Sequence, residues 1–315
     1  MVEGSGGQGG YTVPVEFRAE LLEHSLEQQI VKPRATVIPV NGNRVEIPCM
    51  VDSDHSSNLY GGITIYRPGE GATRTVTNPT YGKVALTLHE LSGAVRISNE
   101  LLEDSALAIA AVVKKQFVES IGFQEDDDYL NGSGANQALG CLNSANPCLV
   151  TVTAVTGQGA STIIADNIID MWAQLHPRFH NSAVWLANPE TFPQIAKMSL
   201  AVGTGGIPVW MPAGGLSNSP YQSLMGRPLI FTEKCQALGT AGDIALCAFS
   251  EYLVGVKSGS EMSIAESMHV YFITNEMAYR FITRTDGQPW WLSALTPLRG
   301  SNDLGCFIVL SGTRT

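Results

Sequence analysis

Charge is scarce in this chain: Asp, Glu, Lys and Arg make up 15% of its 315 residues, where about a quarter is usual for a soluble domain. So small a share suits a protein that hides much of its surface in an assembly, and equally a large enzyme core; composition does not separate the two. The balance is acidic, net −10 with a pI near 5.1, which excludes a nucleic-acid-binding face spread over the whole chain and leaves room only for a local basic patch. No apolar run approaches the roughly 18 residues of a membrane span. The opening residues, MVEGSGGQGG, have neither the basic start nor the apolar stretch of a secretion signal. Six cysteines (Cys49, Cys141, Cys148, Cys235, Cys247 and Cys306) include no CxxC pair and no histidine at metal-ligand spacing. They read as buried free thiols of a reducing compartment rather than a zinc site or a disulfide framework.

Local catalytic signatures are missing too. No serine sits in GxSxG. Gly4, Gly6 and Gly9 match GxGxxG formally, but no strand precedes them, so the match is a by-product of a glycine-rich tail. His176 and His180 stand four apart with Pro177 between them and no Glu after the first, which reads as a helix end and loop rather than a metal pair. Asp126, Asp127 and Asp128 are consecutive, and consecutive helix positions fan about 100° apart, so an acidic patch is expected there and not a cation cage. No catalytic residue, metal ligand, cofactor-binding residue or cofactor is assigned.

What the chain does have is a long helical period over residues 98–132. Leu101, Leu102, Ala106, Ile109, Val112, Val113, Phe117 and Ile121 keep to one stripe at spacings of three and four. Ser98 suits the N-cap, Glu100 and Glu103 suit the first turn, and Asn131-Gly132 offers a left-handed stop. Unbroken, this spine would run about 50 Å at about 1.5 Å per residue, which predicts an elongated subunit.

The other segments follow in order. Residues 1–10 read as a flexible arm, and 13–32 as an amphipathic helix ending before Pro33. Residues 36–40 and 44–48 read as strands joined by an Asn41-Gly42 hairpin turn. Residues 50–83 are polar and punctuated by Gly and Pro, a projecting loop with one strand at 63–67. Residues 84–97 return as a strand into the spine. Beyond it come a strand at 149–155, a helix at 163–175, a buried strand at 183–187 and a helix capped by Asn188 or Thr191. Residues 199–225 are loop. Strands follow at 228–232, 244–249, 253–256, 262–265, 269–273, 278–283 and 307–310. No internal repeat is visible.

Several of these stretches, in this order, resemble the major capsid proteins of tailed bacteriophages with the Hong Kong ninety-seven fold. GGYTVPVEF (9–17) is similar to that family's start. NPTYGKVALTLHELSGAVRISNELLEDSA (78–106) resembles its loop-return strand and spine helix, and FQEDDDYLNGSGANQALGCLN (123–143) its acidic exit. AVWLANPETFPQIAKM (183–198), MGRPLIFTEKC (225–235) and DIALCAFSEYLVG (243–255) resemble the apical strands and helix, and NEMAYRFITRTDGQ (275–288) the late peripheral strand. The resemblance spans residues 9–288; the role of 290–315 is left unassigned.

It implies an α+β major-capsid fold: an N-terminal arm and short helix (1–33), strands and an extended β-hairpin loop (34–97), a peripheral domain with the spine helix (98–144), an α/β apical domain (145–250), and a return to the peripheral domain with a C-terminal tail (251–315). It further implies hexamers and pentamers that tile an icosahedral shell around double-stranded DNA, without sequence-specific binding and without a membrane. The partners implied are further copies of the chain, a scaffolding protein, a portal and, as an open option, a decoration protein. Met1 lies just before the arm, so the scaffold is expected to be a separate protein. Assembly is expected in the host cytoplasm and residence in the virion.

The residues expected at subunit contacts are Arg67, Glu70, Arg74 and Lys83 in the loop and Glu125, Asp126, Asp127 and Asp128 at the acidic end of the spine, which would meet an Arg or Lys of another subunit. Some relatives crosslink a loop Lys to a peripheral Asn. Asn275 matches that Asn, but Arg74 stands at the Lys position and Ile282 near that of the assisting Glu, and a guanidinium stays protonated; the crosslink is expected to be inactive. Two other readings stay open: an encapsulin shell housing enzyme cargo, and a cytosolic α/β enzyme with residues 199–225 as a lid.

Overall fold

Glu276–Pro289 forms a 14-residue strand because its side chains keep the period-two alternation of a pleated ribbon: Tyr279, Phe281 and Thr283 are buried, whereas Arg280 and Arg284 face solvent. The computed structural model describes residues 26–74, 76–105, 109–202, 205–208, 210, 223–259 and 262–314. In chain order the elements are β1 (Thr36–Val40), β2 (Arg44–Met50), β3 (Tyr81–Thr87), β4 (His89–Ser98), α1 (Asn99–Asp104), α2 (Ile109–Asn131), β5 (Leu149–Val152), α3 (Ala165–Gln174), β6 (Val184–Ala187), α4 (Phe192–Ala196), β7 (Ser199–Val202), β8 (Gly205–Pro208), β9 (Ser223–Leu224), β10 (Arg227–Phe231), β11 (Ile244–Cys247), β12 (Tyr252–Lys257), β13 (Met262–Ser267), β14 (Glu276–Pro289) and β15 (Phe307–Leu310).

Two sheets organise the molecule. In the first, β14 pairs along one edge with β4 from Glu276↔Ser98 to Thr285↔His89, and along the other with β13 and then β12; β1 adds to β12 in parallel. Helix α2 packs on this sheet through Val113, Phe117 and Ile121, against Ile97, Tyr279 and Phe281. The rings of Phe117 and Phe281 stack with centroids 4.1 Å apart, worth about 0.5–1.5 kcal/mol beyond the area they cover. Gly93 makes the approach possible, since a Cβ there would lie 2.5 Å from the Phe117 ring. The second sheet runs β5-β15-β11-β6-β10-β9. Its inner strands VWLA, IALC and FIVL are buried at every position, the continuous apolar run expected of strands covered on both faces. Tyr129 and Leu130, at the end of α2, enter the same core.

Several expectations are corrected. The spine is broken: Ser105 takes extended dihedrals (φ −75, ψ 130), at which the helical hydrogen-bond ladder cannot continue, so α1 and α2 are separate helices. Ser98 does cap α1, accepting from the Leu101 amide at 3.3 Å. The left-handed stop at Asn131-Gly132 is absent; positive φ appears later, at Gly134 and Asn136. Gly132 is needed for closeness, because a Cβ would sit 2.2 Å from the Ala138 carbonyl oxygen. The 36–48 hairpin does not form either. A tight Asn-Gly hairpin turn needs positive φ at both central residues, and neither Asn41 nor Gly42 has it. Instead β1 joins β12 while β2 pairs with β3 from Arg44↔Thr87 to Met50↔Tyr81.

Four further differences are local. Residues 63–67 form only a bridge between Ile63 and Leu59, and the stretch 269–273 turns into a 3-10 helix, Phe272–Thr274, closed by left-handed Asn275. Residues 199–225 are not all loop, since β7 and β8 pair. The helix expected over 13–32 does not reach Ile30, because residues 26–29 are irregular; the flexible arm, the GxGxxG match and the rest of that helix fall at 1–25, outside the described residues.

Residues 290–315, unassigned from sequence, return through β15 into the second sheet, between β5 and β11. There Arg314 grips Asp243 with two guanidinium nitrogens at 2.6 Å, both side chains fully buried. Replacing one member of such a pair strands the other charge in the core. Arg314→Ala is therefore expected to destabilise the unassembled subunit by about 3–5 kcal/mol, read as a lowered urea midpoint, with the double variant Arg314→Met, Asp243→Leu losing less than the single one.

Candidate inter-subunit surfaces

The loop between β2 and β3 is tied at its root and bare at its reach. Near the root, the Val51 amide donates to the Thr80 carbonyl, the Thr80 amide to Gly61, and the Thr64 amide to the Thr77 hydroxyl. The His55 amide reaches the Thr296 carbonyl, which docks the root on the C-terminal segment. Beyond Thr64 the chain is exposed, including Ile65 (76%) and Val76 (85%). Arg67, Glu70 and Arg74 all lie on this outer part and are exposed. Among the described residues none forms an ion pair with them.

Lys83 behaves differently from the other three loop charges. Its ammonium lies 2.7 Å from the Glu46 carboxylate across the β2–β3 ribbon, and Arg44 approaches the same carboxylate at 2.8 Å. Lys83 first, and Arg44 after it, hold the Glu46 carboxyl below its usual range. Lys83 thus has a partner within its own chain.

The loop root is fastened to the first sheet by Asp286. Its carboxylate accepts the Thr87 amide at 2.7 Å and the Gly287 amide at 2.8 Å. Burial pushes its carboxyl up to about 6, although both amides pull it down.

The acidic end of α2 splits by face. Asp126 is fully buried: it accepts the Ile30 and Val31 amides, the latter at 2.8 Å, and the Lys234 ammonium at 2.9 Å. Lys234 also lies over the Phe123 ring, 4.6 Å from its centroid. Glu125 is buried as well, taking the Thr283 hydroxyl, the Gln29 amide and, at 3.7 Å, Lys32. The expectation that these two carboxylates meet a cation of another subunit is overturned, because the chain's own groups occupy them. Asp127 and Asp128 lie nearer the surface and bond within the helix, to Asn131 and Gln124; partial burial raises the Asp128 carboxyl. Lys234 was not identifiable from sequence, because its only signal was a lysine at the end of an apolar strand.

Asn275 is exposed and left-handed (φ 54, ψ 45). Its carbonyl accepts the Asn99 amide at 3.0 Å and its side-chain oxygen the Asn99 side chain at 2.7 Å, locking β14 to the start of α1. Beside it lies an apolar knuckle, with Val270, Phe272 (77%) and Ile273 (97%) in solvent. The loop and this knuckle are thus two apolar surfaces left exposed by the described residues.

The model of the phage capsid family matches residues 9–300. Among solved structures, the chain is similar to the capsid of a native GTA particle, with a TM-score of 0.75, 16% identity and 96% of each chain covered. A structure from Microbacterium phage Oxtober96 gives 0.70, 13% identity and 98% of each chain. The holo-SrpI encapsulin complex from Synechococcus elongatus gives 0.58 and 11% identity, covering 98% of this chain and 96% of that one. No curated protein matches.

Two measurements check this geometry. Asp126→Ala leaves Lys234 charged and buried and frees the Ile30 and Val31 amides, so a loss of about 3–5 kcal/mol is expected, with faster hydrogen exchange at those two amides; Asp127→Ala is expected to cost about 1 kcal/mol or less. For Asp286, the folded chain keeps a proton that an ordinary aspartate, at 3.8, has released. Its contribution to stability is therefore complete below about pH 3.8 and lost as pH rises through about 6. The urea midpoint of the wild type relative to Asp286→Asn is expected to fall across that window and level off above it.

Proposed function

This chain belongs to the phage capsid family, and we propose that its copies join as hexamers and pentamers into an icosahedral shell enclosing double-stranded DNA. The protein is a structural major capsid protein with the Hong Kong ninety-seven fold, and its place is the capsid of the virion. The observation that carries the finer reading is the loop of residues 51–80. It holds exposed Ile65, Tyr66 and Val76 together with Arg67, Glu70 and Arg74, which have no ion-pair partner among the described residues, and it has no core of its own. Apolar surface of that kind is stabilised by covering it, and a second copy of the chain presents surfaces to cover it. The acidic balance suits a container that must release its genome, since phosphate backbones are gripped by Lys and Arg.

Within this reading a scaffolding protein, a portal and a decoration protein are the additional partners, and assembly takes place in the host cytoplasm. The encapsulin shell is the second reading, favoured by the similarity to the SrpI complex. Content separates the two: shells purified from infected cells hold DNA in the first and protein cargo in the second. An enzyme with a lid at 199–225 draws no support from the family or the fold.

Negative-stain microscopy of the purified protein is expected to show closed shells or hexameric and pentameric capsomers; particles of one to four subunits that never assemble would overturn the proposal. Arg74→Glu is expected to lower shell yield while leaving the circular dichroism and urea midpoint of the subunit unchanged, and full yield would remove Arg74 from the contact. Because Arg74 stands in place of a lysine, boiled shells are expected to run as monomers on SDS gels, and a ladder of multimers would show that a crosslink forms after all.

A further inference from the structure

The chain's six cysteines are all free, and five of them are buried. Cys141 and Cys247 are in contact, and so are Cys148 and Cys306: the Cys306 thiol donates to the Cys148 sulfur at 3.3 Å, and the Cys148 thiol donates onward to the Asn146 side-chain oxygen at 3.1 Å. Their contact follows from sheet register. β15 and β5 run parallel starting at Phe307↔Leu149, so Cys306 and Cys148 stand side by side immediately before the first pair. Neighbouring strands lie about 4.8 Å apart, inside the Cα separation of about 4.4–6.8 Å that a disulfide spans. The backbone on both sides is held: the Ala248 amide donates to the Cys306 carbonyl and the Cys148 amide to Asn146.

We propose that Cys148 and Cys306 are an oxidation site that closes to a disulfide when the protein meets a small peroxide. Cys148 is taken as the first sulfur to react and Cys306, in contact with it, as the resolving one. The Cys148 sulfur attacks hydrogen peroxide, the O–O bond breaks, and Cys148 becomes a sulfenic acid, while the departing hydroxide takes up the proton of the Cys148 thiol and leaves as one water. The Cys306 sulfur then attacks the Cys148 sulfur, the S–OH bond breaks, and the hydroxide leaves as a second water with the Cys306 proton. The two thiols have lost two electrons and the peroxide has gained them. The site tolerates the loss of both S–H groups: the Asn146 oxygen keeps the Cys148 amide as donor, and no polar atom is stranded.

Burial explains why a small oxidant is required. It pushes the Cys306 thiol well above its ordinary range and excludes bulky disulfides from the pair. The consequence is a cross-link between residues 158 apart in sequence, tying β15 to the start of β5 and restricting the unfolded chain. A particle that leaves the host cell moves into more oxidising surroundings, where such a staple forms after folding is complete.

Treating the folded protein with hydrogen peroxide, then unfolding, alkylating and digesting it without reductant, tests the proposal. The expected product is one cross-linked peptide pair containing Cys148 and Cys306, two hydrogens lighter than the sum of its parts and split by reductant, with the remaining cysteines alkylated. In Cys306→Ser, a dimedone adduct on Cys148 is expected in place of the cross-link. Recovery of both residues as alkylated thiols or as sulfinic acids would overturn the proposal, and so would pairing of either with Cys141 or Cys247. If Cys306→Ser does not fold, the wild-type peptide map alone decides.

Discussion

A single buried carboxylate, that of Asp126, fixes how the parts of this subunit meet. An unpaired charge at that depth would be very costly, so the fold surrounds it with two backbone amides and one ammonium. The amides belong to Ile30 and Val31, ahead of β1; the ammonium belongs to Lys234, just past β10 in the second sheet; the carboxylate rides on α2, which packs on the first sheet. Three stretches far apart in sequence are thereby brought to one point. Moving any of them would leave a charge or an amide without a partner.

That junction makes a stiff frame from which the loop departs. β14 pairs on both edges, Phe117 lies flat on Phe281, and Asp286 holds the loop's last strand against the sheet. Past Thr64 the described loop residues show few internal hydrogen bonds and expose aliphatic side chains. Rigid support beneath an uncovered apolar segment fits the proposed shell, in which a neighbouring copy would cover that segment. The exposed knuckle at Phe272 and Ile273 follows the same logic.

Elements whose cause is local were readable in advance. The helix α3, the buried run of β6, the cap at Asn188 and the strand entering α1 each rest on periodicity or on one side chain bonding to a nearby amide. Elements whose cause is distant were misread. Asn41-Gly42 looks like a hairpin turn, yet β1 finds a better partner in β12, where Thr36 pairs with Leu253 and Val40 with Lys257. The apolar stripe through residues 98–132 is continuous, but a stripe does not report a backbone break at Ser105. Residues 269–273 read as a strand, while the turn into β14 required a left-handed residue at Asn275. The acidic run looked like one surface because charge is visible in sequence and facing is not.

Composition, the order of elements and family resemblance were therefore set by the sequence alone: a low-charge α+β chain with a projecting loop followed by helix, similar to tailed-phage capsid proteins. Their warrants are propensity, period and spacing, which act within a few residues. Tertiary structure alone decided that Asp126 and Glu125 face inward, that Lys83 pairs with Glu46, that the final residues thread between β5 and β11, and that Cys148 touches Cys306. Each of these depends on which segments pack together, and burial and pairing across a fold are properties of the whole chain.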